Sequence, residues 1–79
     1  MPASDRPVLI LGGTAEAVKL AAALIALGYR TISSLAGRTS NPGRIEGDVR
    51  TGGFGGADGL AAYIRRENIA LLVDATHSL

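Results

Sequence analysis

The chain contains no cysteine and no tryptophan among its 79 residues. Disulfides, thiolate chemistry and cysteine-ligated zinc are therefore excluded. A single histidine, His77, leaves too few imidazoles for a metal site built by this chain. Only Phe54, Tyr29 and Tyr63 are aromatic, which argues against a base-stacking platform. The formal net charge is +1, so no electrostatic argument favours nucleic acid or an anionic membrane as partner. No apolar run approaches the roughly 18 residues that a membrane span needs. Residues 1–7 lack the apolar core of a signal peptide and read as a frayed, disordered tail. The expectation is a cytoplasmic protein. Hydrophobic residues still make up 47% of the chain against 19% charged, a globular composition. At this length it is one small domain or a piece of one, and such a chain buries only about 60% of its unfolded surface.

Against these absences stands the stretch Val8-Leu9-Ile10-Leu11-Gly12-Gly13-Thr14-Ala15-Glu16-Ala17. Four apolar residues run into two glycines, a threonine and an alanine- and leucine-rich helical pattern. This is the shape of a first strand, a tight turn and a helix start. A helix N-terminus presents unpaired N–H groups and the positive end of its dipole, and so attracts phosphate. Glycines let the backbone turn sharply and let an anion come close. The turn is not the G-x-G-x-x-G fingerprint, yet it keeps paired glycines and a small Ala17 where helix and strand pack closely.

The helix is predicted over residues 14–27, with Thr14 as N-cap and Gly28 just past its end. Leu20, Leu24 and Leu27, with Ala17, Ala21 and Ala23 between, form its apolar face. Tyr29–Leu35 reads as a second strand, residues 36–47 as a loop, and Asp48–Thr51 as a short third strand. After the turn Gly52-Gly53-Phe54-Gly55-Gly56, Asp58 or a neighbour caps a helix through about Asn68, with Leu60, Ala61 and Ile64 inward. Ile69–Asp74 reads as a fourth, almost wholly apolar strand. Short connections between these elements imply an α/β fold with a parallel sheet and right-handed crossovers, covered on both faces.

Ligands on such sheets bind beyond the carboxyl ends of the strands. The unusual residue clusters all fall there: Gly12–Thr14, Ser34–Arg38, Gly52–Gly55 and Thr76–His77. Thr14 could cap the helix, bond a phosphate, or do both. Glu16 either complements the helix dipole or reaches a ribose, since its charge opposes phosphate. A chain that binds NAD places an acid roughly 20 residues past the glycines. Here the region reads Ser33-Ser34-Leu35-Ala36-Gly37-Arg38-Thr39, with hydroxyls and an arginine but no carboxylate. A guanidinium suits a 2′-phosphate, which favours NADP over NAD. The second glycine run serves either close passage over a ligand or a flexible turn anchored by Phe54. His77 could touch a nicotinamide, meet a substrate carboxylate, donate a proton, or be a polar residue without a role.

With these residues in place, the chain resembles the N-terminal part of the precorrin-6A reductase (cobalt-precorrin-6A reductase) family of cobalamin biosynthesis. The matching segments are Ile10–Ala17, Ser34–Thr39, Gly52–Leu60 and Val73–His77, in that order. The resemblance implies an incomplete Rossmann-like sheet of about four strands and two long helices, over residues 8–79. It implies hydride transfer from NADPH to a double bond of the precorrin-6A or cobalt-precorrin-6A macrocycle, giving precorrin-6B. On that basis Gly12, Gly13 and Thr14, with Ala15 behind them, would hold the diphosphate. Ser34, Arg38 and Thr39 would hold the adenosine 2′-phosphate, and Gly53, Thr76 and His77 would line the nicotinamide end. No catalytic acid or base is assigned. The family continues after this last motif with Pro-Phe-Ala where the chain reads Ser78-Leu79. The expectation is therefore a fragment that carries the cofactor site and one wall of the substrate site. It would be inactive alone, with a separate C-terminal domain completing it. A non-catalytic NADP-binding module or an inactive truncated remnant stands as the alternative.

Overall fold

In the computed structural model, which describes residues 5–37 and 44–76, the elements follow the order β1 (Val8–Leu11), α1 (Ala15–Ala26), β2 (Thr31–Leu35), β3 (Asp48–Thr51), α2 (Gly56–Arg66) and β4 (Leu71–Asp74). Neighbouring strands all pair in parallel, in the spatial order β3-β2-β1-β4. The α/β architecture read from the sequence is the one observed. Among the described residues no helix is long and apolar enough to cross a membrane.

β1 lies between two partners. Val8 stands level with Thr31 on one side and Leu71 on the other, and Leu11 with Ser34 and Asp74. Successive side chains of a strand point to opposite faces, and β1 divides accordingly. Val8 and Ile10 bury against Ala17 and Ala21 of α1, with Leu20 and Leu24 packed around them. Leu9 buries on the other face with Ile32 and Ile69, under Leu60, Tyr63 and Ile64 of α2. Both faces are covered at this strand, which is why all four of its residues are apolar. The alanines at 17 and 21 are the only buried residues of α1. Their small side chains bring the helix axis close to the sheet.

Both helices end in the same way, and this shifts three predicted boundaries. Leu27 caps α1, Gly28 follows at φ +94°, and the Tyr29 N–H reaches back to the Leu24 carbonyl while the Gly28 N–H bonds Ile25. This is a Schellman motif. It leaves Leu27 70% exposed instead of on the apolar face. It also uses Tyr29 in the helix exit, so β2 begins at Thr31. In α2 the left-handed residue is Asn68, at φ 55°, and the Ile69 N–H bonds the Ile64 carbonyl. Ile69 therefore enters the core from the helix exit, and β4 starts only at Leu71. At the start of α2 the cap is Gly55, in the left-handed region and without a side-chain bond, while Asp58 lies within the first turn. The last glycine of the predicted turn thus belongs to the helix.

Arg6 and Pro7 lie along the α2–β4 link. Arg6 donates from Nε to the Asn68 carbonyl at 3.3 Å and from Nη2 to the Ile69 carbonyl at 3.0 Å. The Pro7 carbonyl accepts the Ala70 N–H at 2.8 Å. β4 departs from the expected buried strand, because Leu71 and Leu72 are 56% and 39% exposed. Adjacent residues of a strand face opposite ways, so among the described residues this edge is open on both faces at Leu71 and Leu72.

Replacing Gly28 by alanine puts a Cβ into open space, so only the left-handed backbone is penalised. We expect Gly28→Ala to cost about 1 kcal/mol. Asn68→Gly relieves the same conformation in α2 and should gain a few tenths of a kcal/mol. Urea unfolding of the two variants against the parent checks both signs.

Candidate functional site

The carboxyl ends of the four strands converge on one open cavity of about 500 Å³. The β1–α1 turn contributes Leu11, Gly12, Gly13 and Thr14 to its wall. β2 and the residue after it contribute Ser34, Leu35 and Ala36. The turn after β3 adds Gly52, Gly53 and Phe54, and Thr76 closes the side beyond β4. Six of the candidate residues read from the sequence therefore share one cavity: Gly12, Gly13, Thr14, Ser34, Gly53 and Thr76. Ala15 opens α1 beside it, exposed and outside the lining. Its N–H stands in the first helical turn, where no carbonyl lies one turn back. Arg38, Thr39 and His77 lie outside the described residues.

Gly12 holds the site together. Its φ is +116°, and a Cβ placed there would stand 2.5 Å from the Ala75 carbonyl oxygen and 2.9 Å from Thr76 Cα. Backbone meets backbone at this point. The Gly12 N–H bonds the Ser34 carbonyl, and the Ala75 N–H bonds the Leu11 carbonyl. The glycine is thus required by the fold itself before any ligand is considered.

Thr14 ties the same two segments. Its Oγ1 accepts from the Ala17 N–H at 3.1 Å and donates to the Ala75 carbonyl at 3.0 Å. The hydroxyl hydrogen is committed to Ala75, so Thr14 acts here as helix cap and cross-strap. What it offers an anion is its main-chain N–H. Glu16 lies in the first turn of α1 and outside the cavity lining.

Thr76 is set by Asp74, whose Oδ1 accepts from the Thr76 hydroxyl at 2.7 Å and from its N–H at 3.2 Å. The Thr76 hydroxyl hydrogen is thereby occupied, and the oxygen keeps lone pairs for a donor. Phe54 packs on the Leu9–Ile32–Ile69 cluster and meets Tyr63 edge to face at 5.2 Å. Of the two uses left open for this turn, the anchoring role of Phe54 is therefore present. Gly52 takes φ +105°, while Gly53 has an ordinary φ and nothing within 4 Å of an added Cβ. Neither conformation nor packing asks for glycine at 53.

Sequence reasoning passed over Leu35, Ala36 and, above all, Arg50, which touches the cavity wall from behind. The available signal was a lone cation at alternate spacing in a short strand, directly before a glycine run that holds an aromatic.

The family model for Precorrin-6x reductase CbiJ/CobK matches residues 7–78. The chain is 57% identical over 77 residues to the precorrin-6A reductase of Sinorhizobium sp, covering 95% of this chain and 30% of that protein. It is 58% identical over 71 residues to the precorrin-6A reductase of Rhodococcus erythropolis, covering 89% and 29%. The solved structure of CobK precorrin-6A reductase matches with a TM-score of 0.83 at 44% identity, over 91% of this chain and 29% of that one. The chain thus spans about 30% of the length of the curated relatives it matches.

Removing the Thr14 hydroxyl deletes a cap and a cross-strap together. Thr14→Val should destabilise by about 2 kcal/mol, with Thr14→Ser within a few tenths of the parent. Gly12→Ala combines a left-handed backbone with a collision and should cost at least as much, about 3 kcal/mol. Thermal unfolding of the three variants orders these effects.

Proposed function

Because the chain belongs to the Precorrin-6x reductase CbiJ/CobK family, we propose that it is the cofactor-binding portion of an NADPH-dependent reductase. The substrate on this reading is precorrin-6A or cobalt-precorrin-6A, reduced to precorrin-6B by addition of one hydride and one proton. The observation that carries the reading is Gly53. It stands in the wall of the cavity although neither its φ nor any neighbouring atom requires glycine. Bare backbone that the fold does not need is explained by a flat ligand passing close over it.

The residues present fit a dinucleotide. The start of α1 meets the cavity at Gly13 and Thr14, where main-chain N–H groups and the helix dipole favour a diphosphate. The end of β2 presents the Ser34 hydroxyl and no carboxylate, with Arg38 and Thr39 next along the chain. That combination suits a 2′-phosphate better than a bare ribose. The acceptor oxygen of Thr76, held by Asp74, suits an amide N–H such as that of a carboxamide. His77 follows it directly.

When bound, NADPH supplies the hydride. The chain's own residues bind and orient it, which is the larger part of what a protein contributes to hydride transfer. α1 fixes the phosphates, the β2 end and the neighbouring Gly53 turn, tied to each other through Arg50, hold the adenosine half, and Thr76, beyond β4, faces the reacting half. The macrocycle would approach from the open side of the cavity. The relatives' greater length supports a further domain that closes over it.

Calorimetric titration of the chain with NADPH and, in parallel, NADH tests the reading. Preference for NADPH by tenfold or more is expected, and binding of neither overturns it. Arg38→Ala should weaken NADPH far more than NADH, and equal loss would remove the 2′-phosphate assignment. Gly53→Ala should leave the unfolding free energy within about 0.5 kcal/mol of the parent yet weaken NADPH by about tenfold, near 1.4 kcal/mol.

A further inference from the structure

Arg50 touches no ligand in the reading above, yet it is the side chain most closely engaged with the cavity wall. It sits in β3, half-buried. Its Nη1 donates to Ser34 Oγ at 2.7 Å and to the Gly52 carbonyl at 3.0 Å, and its Nη2 donates to the Gly53 carbonyl at 3.1 Å. Its Cζ stands 3.9 Å from the centre of the Phe54 ring and 5.1 Å from that of Tyr63. Ser34, Gly52, Gly53 and Phe54 all line the cavity, whereas Arg50 itself does not. Among the described residues the ion pairs are Arg30 with Asp48 and Arg66 with Glu67, and no carboxylate lies within pairing distance of Arg50. A guanidinium held by neutral oxygens and ring faces keeps its full charge unneutralised.

Two consequences reach the cavity. The Ser34 oxygen accepts from Arg50, so its own hydrogen is what remains to give. Among the described residues no acceptor takes that hydrogen, and Ser34 is 6% exposed, with the cavity as its opening. Ser34 therefore meets a ligand as a donor. Directly behind it lies the half-buried positive charge of Arg50, which adds to the pull on an anion at this spot. An oxygen that only accepts and carries charge, such as that of a phosphomonoester, profits from both effects. A ribose hydroxyl, which also needs an acceptor for its own hydrogen, profits less.

We propose that Arg50 is the positioning residue that sets selectivity for the 2′-phosphorylated dinucleotide, by turning the Ser34 hydroxyl outward as a donor and fixing the Gly52–Phe54 wall. The inference rests on the cofactor reading and deepens it. It places part of the 2′-phosphate preference in a residue that does not touch the ligand. It also accounts for the planar fork of an arginine here, since one ammonium cannot reach Ser34, Gly52 and Gly53 in the same geometry.

The test is calorimetric titration of the 79-residue chain with NADPH and NADH, for the parent, Arg50→Met, Arg50→Lys, Ser34→Ala and the Arg50→Met/Ser34→Ala double variant. Thermal unfolding of each accompanies it. In Arg50→Met the preference for NADPH over NADH, read as the ratio of the two affinities, should fall at least tenfold. Ser34→Ala should reproduce most of that loss, and the double variant should lose little more than either single change, because the two residues act as one unit. Arg50→Lys keeps the charge and should lose less preference than Arg50→Met, at least threefold. That variant also provides the comparison if the methionine variant unfolds. An unchanged preference in folded Arg50 variants overturns the inference and leaves the cofactor reading standing. Equal loss of both ligands, or fully additive losses in the double variant, overturns it in the same way. A parent chain that does not prefer NADPH removes the cofactor reading, and this inference with it.

Discussion

The cavity depends on one main-chain contact, the seating of Gly12 against Ala75 and Thr76. Two parallel neighbours, β1 and β4, leave the sheet side by side and must diverge, one into a helix and the other into Ala75 and Thr76. They part only after their backbones have touched, with no room for a Cβ between them. The Thr14 hydroxyl then bridges the same pair of segments and caps α1 in the same act. The helix start cannot shift along its axis without breaking that bridge. The position of this helix terminus is thus fixed by a close backbone contact and two hydrogen bonds, well before any ligand arrives.

Much of this was legible in the sequence, and for identifiable reasons. Val8–Leu11 reads as a buried strand because every residue is apolar, and like β2 it has a neighbour on either side and buried residues on both faces. Gly28 marks the end of α1 because glycine adopts the left-handed backbone at no steric cost. The same signal was less readable at Asn68, where an asparagine does that work and the end of α2 is correspondingly blurred. Thr14 was legible as a cap from its place before an alanine run, but its second bond was not. Ala75 lies 61 residues away along the chain, and no local pattern encodes which carbonyl will be brought there. Leu71 and Leu72 misled in the other direction. Their composition records a buried environment, whereas the described residues leave them open.

The glycines and hydroxyls of the site divide by what holds them. Gly12 is demanded by its neighbours' backbone, Gly52 by its own φ, and Gly53 by neither. Thr14 has spent its hydrogen on the fold, Thr76 has spent its hydrogen on Asp74, and Ser34 still has one to give. A motif read as a string of equivalent ligands is therefore, in three dimensions, a frame with a few groups left facing inward. Arg50 belongs to the frame and escaped notice because its importance lies in whom it touches and not in its neighbours along the chain.

The bare edge of β4 has a thermodynamic consequence for that frame. β4 is held by β1 on one side only, yet Ala75 and Thr76, which follow it, form the side of the cavity that seats Gly12 and receives the Thr14 strap. The least supported strand thus bears one wall of the site. A segment that pairs with β4 and covers Leu71 and Leu72 stabilises the closed wall relative to looser states, and so raises the affinity of any ligand that needs it closed. Linkage makes the effect mutual: a ligand seated against Thr76 tightens the hold of whatever covers the edge, by the same free energy. Occupation of the cavity and cover of this edge are then two readings of a single equilibrium.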